Sequence, residues 1–141
     1  MAINRPTTKT IISTNGWGIP ITDEVNRLTT WQLAQVPSAW TNLPLLNGWV
    51  NIGGSRPTTA VRKFGELVVL RVALMSGNIG GGISPFTIPA GYRPGYYLDA
   101  WARCGPTYAF LNIDTAGTAA IFPAASADNS GLYATVVYPV S

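Results

Sequence analysis

The chain of 141 residues carries only 11% charged side chains against 47% hydrophobic ones, and nine Lys/Arg set against six Asp/Glu leave a net charge of +3. That length has room for one compact core with a short appendage, and the hydrophobic share excludes a disordered chain. The basic residues are scattered singly, with Arg62-Lys63 the only adjacent pair, so the clustering that a nucleic-acid partner requires is missing and no nucleic-acid binding is expected.

Residues 1–20 are rich in polar side chains, with a short apolar pair at Ile11-Ile12, and predict an extended arm or edge strand, with no charged segment followed by an apolar one that would serve as a signal peptide. A single helix is predicted from Thr22 to Gln35. Thr22 is a suitable N-cap, Asp23 and Glu24 complement the positive end of the helix dipole, and Pro37 ends it. Ile21, Val25 and Leu28 are spaced four and three, a coiled-coil stub too short to stand alone. The stub either joins subunits if the domains behind it form a trimer, or the helix docks on its own domain through Trp31 and Leu33.

From residue 47 onward the pattern changes to strands and turns, which divides the chain into an anchor arm with a short helix (1–46) and a head domain (47–141). Within Glu66–Met75, Val68, Leu70, Val72 and Leu74 fall on one face and Leu67, Val69, Arg71, Ala73 and Met75 on the other. Both faces are mostly apolar, which predicts a central strand between a core and an interface. The run is too short to span a bilayer, so no membrane insertion is expected. Residues 76–82, with three consecutive glycines, predict a loop. Further strands are predicted at Tyr96–Arg103, Tyr108–Ile113, Thr118–Phe122 and Tyr133–Val140. Gly105-Pro106, Asp114–Gly117 and Ala127–Gly131 supply the turns between them. Short strands at this spacing predict an all-β fold, a β-sandwich or jelly-roll head. The low charge leaves neutral surface that assembly would cover, and a homotrimer sharing one axis accommodates it.

The chain has no histidine and one cysteine, Cys104. The commonest general base and the Ser-His and Cys-His nucleophile pairs are therefore missing, and Cys104 is expected to be a small buried hydrophobe. Asp114 and Asp128 lie in turns, where a carboxylate commonly accepts backbone N–H groups, and no spacing pairs two carboxylates for hydrolysis. No catalytic residue, metal site or cofactor is expected. Binding is better supported, because aromatic faces stack on sugar rings while neighbouring Asn, Asp and Arg bond hydroxyls. Tyr97, Asp99 and Trp101 alternate along one predicted strand, and Asp128 and Asn129 occupy a loop. These five form the candidate saccharide site, although any single aromatic is more readily explained as core.

Three pieces follow one another in the head: Gly48-Trp49-Val50-Asn51-Ile52-Gly53-Gly54, then Arg62-Lys63 running into Val68-Val69-Leu70-Arg71, then Phe86-Thr87-Ile88-Pro89-Ala90-Gly91-Tyr92-Arg93-Pro94. Residues 40–141 thereby resemble the head modules of bacteriophage tail-fibre and receptor-binding proteins. Residues 7–33 resemble the leader of small minor tail proteins from phages of actinobacteria. The resemblance implies a virion protein made in the host cytoplasm, a homotrimer attached to other virion proteins through its N-terminal arm. Its head would bind a host-surface saccharide as part of a short tail fibre or tail-tip appendage. A purely structural capsid decoration or head-fibre protein is the alternative. No long shaft separates arm from head, which speaks against a long fibre.

Overall fold

Alternating apolar residues become strands along nearly the whole described chain, which in this computed structural model comprises residues 26–27 and 36–140. The strands are β1 (Thr41–Asn42), β2 (Val50–Asn51), β3 (Ala60–Phe64), β4 (Leu67–Met75), β5 (Ile83–Thr87), β6 (Leu98–Cys104), β7 (Thr107–Ile113), β8 (Thr118–Pro123) and β9 (Leu132–Pro139). They hydrogen-bond in the order β1-β3-β4-β9-β6-β7-β8-β5, with β2 beside the end of β4, and every pairing is antiparallel. The fold is all-β, as the alternation predicts. Within the predicted helix, Asn26 and Arg27 are helical. The rest of that helix, the arm over 1–20 and the Ile21, Val25 and Leu28 stub lie outside the described residues.

One abrupt change of pairing turns this sheet into two facing layers. Strand β9 pairs with β4 along its length, from Leu74↔Leu132 to Leu67↔Pro139. It pairs with β6 only at Arg103↔Tyr133 and Cys104↔Leu132 before the two strands splay apart. The inward rows of both layers fill the gap in one continuous apolar cluster. Val68, Leu70, Val72 and Leu74 come from β4, and Leu111, Ile113 and Ile121 come from β7 and β8. The far edges also meet. Leu45, just after β1, bridges Phe86 of β5, the Leu46 N–H donates to Pro85 O at 2.9 Å, and the Thr87 N–H to Pro44 O at 3.3 Å. The sheet therefore curls almost to closure, which protects the backbone groups of two otherwise bare edges.

The predicted strands over 66–75, 96–103, 108–113, 118–122 and 133–140 all form within a residue or two of those bounds. Strand β5 has no clear sequence signature. Its register with β8 shifts between Ile83 and Phe86, where Pro85 interrupts the ladder, and that irregularity breaks the period-two pattern.

Thr59 holds three segments together. Its side chain is fully buried, its hydroxyl accepts the Ala73 N–H at 3.0 Å, its own N–H donates to Asn51 Oδ1 at 2.7 Å, and its carbonyl accepts the Leu43 N–H at 3.1 Å. Thr59→Val keeps the shape but leaves the Ala73 N–H buried without an acceptor. It should destabilise the fold by about 1–3 kcal/mol. In urea unfolding the midpoint should fall at unchanged slope; an unchanged midpoint would mean that water replaces the hydroxyl.

Candidate functional site

Strands β6, β7 and β8 bury one alternate row and turn the other outward. Ala102, Cys104, Ala109, Leu111, Ile113, Ala119 and Ile121 face the core. The outward row of an antiparallel sheet is normally polar. Here it carries Trp101, Tyr108, Phe110 and Phe122, with relative exposures of 64%, 46%, 40% and 49%. Trp101 lies directly opposite Phe110, and Phe110 opposite Phe122, so the rings cross three strands as one platform. Ring centroids of Trp101 and Phe110 are 4.3 Å apart, and those of Trp101 and Tyr108 are 5.0 Å apart in an edge-on arrangement. These contacts fix the Trp101 indole while leaving most of it in water.

Polar groups border the platform. Asp99 is opposite Asn112 in the ladder, and the Asn112 side-chain amide donates to Asp99 Oδ1 at 2.8 Å. That bond orients both side chains at the platform's margin, next to Trp101 on the outward row. Tyr97 and Tyr96 precede β6 and are 69% and 53% exposed. The structure therefore brings Asp99 and Trp101 together on one face, with Tyr97 leading into it.

Asp128 and Asn129 occupy different ground. Their loop packs at the Cys104 end of β6, about 17 Å along the strand from Asp99 at the usual rise per residue. Asp128 Oδ1 accepts both the N–H and the hydroxyl of Ser130, and these bonds hold its carboxyl below the usual carboxylate range. The Asn129 side-chain amide donates to Gly77 O at 3.0 Å, and the Asn129 backbone carbonyl accepts the Ser76 N–H at 2.8 Å. These partners tie one loop to another. Asp114 likewise accepts the Thr118 N–H at 2.8 Å, as its turn position predicts.

Cys104 is buried, its thiol points at Asp128 O at 3.4 Å, and burial first and the Asp128 charge second push that thiol up. A thiol so shielded is a poor nucleophile. Among the described residues no group of three or more Cys, Asp or Glu side chains could hold a metal ion.

The five residues singled out from sequence omit Tyr108, Phe110, Phe122 and Asn112. A signal for two of them exists in the hairpin. With Gly105-Pro106 as the turn, Arg103 must face Tyr108 and Trp101 must face Phe110, so Trp101 cannot be exposed without exposing Phe110. The default that each aromatic fills the core holds for Trp49 and Tyr138 and fails for Trp101, Tyr97 and Tyr108.

The receptor binding protein of Listeria phage PSA has a similar fold, with a TM-score of 0.67 at 18% sequence identity over 86% of this chain and 75% of that one. No family model matches the chain, and no curated protein matches it.

Proposed function

We propose that this protein is a virion component of a bacteriophage, a short tail fibre or tail-tip appendage that attaches to a host-surface saccharide without chemical conversion of it. The exposed platform of Trp101, Tyr108, Phe110 and Phe122 is the observation that carries the reading, since four clustered rings on a solvent face need a ligand or a partner. Sugar rings stack on the indole, and Asp99 and Asn112 accept and donate to hydroxyls. The fold shared with a phage receptor binding protein supports the attachment role, as does the resemblance of residues 40–141 to phage head modules. The likeness of residues 7–33 to leaders of small tail proteins from actinobacterial phages supports the N-terminal arm as the attachment to other virion proteins.

The proposal includes a homotrimer. A second exposed apolar face supports it, on the other layer of the fold: Phe64, Leu67 and Val137 are 42%, 42% and 57% exposed. Phe64 is opposite Leu67, and Val69 opposite Val137, so these residues form one contiguous patch. Light scattering of the full chain should give three times the chain mass, and Val137→Asp should give a folded monomer. A wild-type monomer at micromolar concentration would sink the trimer and favour a capsid decoration subunit ordered by its shell. Saccharide binding is tested separately, by the Trp101 variant described in the Discussion.

A further inference from the structure

Sequence scatters the basic residues, yet the fold gathers four arginines around two rings. The guanidinium carbons of Arg71 and Arg62 lie 3.9 and 4.5 Å from the centroid of the Trp40 ring. Those of Arg56 and Arg103 lie 5.1 and 5.5 Å from the centroid of Tyr133. Strand register joins the two groups. Tyr133 is opposite Ala73 on β4 and Arg103 on β6, and Arg71 is opposite Thr135 on β9. An open cleft of about 340 Å³ lies there, with Arg56, Arg71, Tyr133 and Thr135 among its walls.

No carboxylate lines this cleft. Among the described residues none pairs with Arg56, Arg71 or Arg103 either. That matters electrostatically, because an aromatic quadrupole holds a guanidinium in place without cancelling its charge. Neutral acceptors add to the positioning. Arg71 Nε donates to Thr58 O at 2.8 Å and its Nη2 to Thr58 Oγ1 at 3.4 Å, while Arg103 Nε donates to Gly105 O at 3.2 Å, which leaves Nη1 of Arg71 and both terminal nitrogens of Arg103 available. The result is fixed, un-neutralised positive charge beside an open volume.

We infer that the cleft binds an oxyanion, a phosphate or carboxylate, carried on a sugar or polyol. Guanidinium forks match both groups with paired N–H···O bonds. A volume of about 340 Å³ is within the range of small-ligand sites and exceeds what a bare oxyanion fills. The Thr135 hydroxyl supplies a partner for the remainder. Arg103 also stands opposite Tyr108, so the cleft adjoins the aromatic platform, and one acidic glycan unit can reach both. Only that last connection rests on the saccharide reading of the platform.

The test is an NMR titration of the full chain that follows arginine Nε–H and Trp101 indole signals. The probes are glucose 1-phosphate, glucuronate and glucose. Both acidic probes, or one of them, should shift Arg56, Arg71 and Arg103, and the response of each identifies whether phosphate or carboxylate is preferred. Glucose should leave the arginine signals unmoved. Arg56→Gln with Arg71→Gln should weaken the preferred acidic probe about tenfold or more, the loss expected for charge-assisted hydrogen bonds. Arg71→Lys should restore part of it, because charge returns without the fork. Arginine signals that stay still with both acidic probes would overturn the cleft assignment, even if Trp101 responds. Arginine shifts without a Trp101 response would keep the cleft and count against the platform.

Discussion

Trp101→Ala should weaken saccharide binding roughly thirtyfold or more while leaving the head folded. The indole is the most exposed ring of the platform, at 64%, so little apolar burial is lost with it. Its internal contacts are cross-strand, with Phe110 opposite and Tyr108 on the diagonal, and such pairs contribute about 0.2–1 kcal/mol each. The stability cost should therefore stay near 1 kcal/mol. A central aromatic anchor at a binding surface is worth about 2 kcal/mol or more, which corresponds to roughly thirtyfold in Kd. Trp101→Phe should retain part of the affinity. Isothermal titration against a panel of bacterial cell-wall polysaccharides, with thermal melts alongside, separates the two effects. Equal affinity for wild type and Trp101→Ala would remove the platform from the binding site, whatever the melts show.

Gly77→Ala should be among the most damaging single substitutions in the head, although it adds one methyl group. The new Cβ would fall inside contact distance of the Trp49 ring. Trp49 is only 3% exposed, and its indole N–H donates to Asn78 O at 3.1 Å, so the ring has nowhere to turn. Nor can the loop retreat, because the Asn129 side chain holds Gly77 O and the Asn78 N–H donates to Asn47 O. Overpacking of this kind costs about 3 kcal/mol, or about 12 °C in Tm for a unit of this size. Gly81→Ala is the matched control, since a Cβ there meets nothing within 4 Å. It should change stability by no more than about 0.5 kcal/mol. Equal melting of the two variants would refute the packing argument.

The glycine of this pair could not have been singled out beforehand. Residues 76–82 read as a loop because of their glycines, and a loop is what forms. That one of those glycines is the seat of Trp49, 28 residues earlier in the chain, depends on contacts with no sequence signature. Cys104 is the opposite case. With no histidine in the chain to activate it, Cys104 is expected to serve as a small buried hydrophobe, and the fold buries it.

Sequence by itself determined the all-β class, the five long strands β4, β6, β7, β8 and β9, the two alternating rows of β4, and the service of Asp114 and Asp128 to their own turns. Those features are local: a period of two, turn residues at fixed offsets, and side chains that bond within four positions. Tertiary structure alone decided which aromatics face water. On β7 Ala109, Leu111 and Ile113 alternate with Tyr108, Phe110 and Asn112, so both rows carry large apolar side chains and the two rings by themselves do not mark an outward face. The sheet closes over the aliphatic row, which joins the β4 residues in one core cluster, and leaves the rings outside. It likewise collected Arg56, Arg71 and Arg103, which stand far apart in sequence, because antiparallel register sets strand neighbours by hydrogen bonding rather than by chain distance.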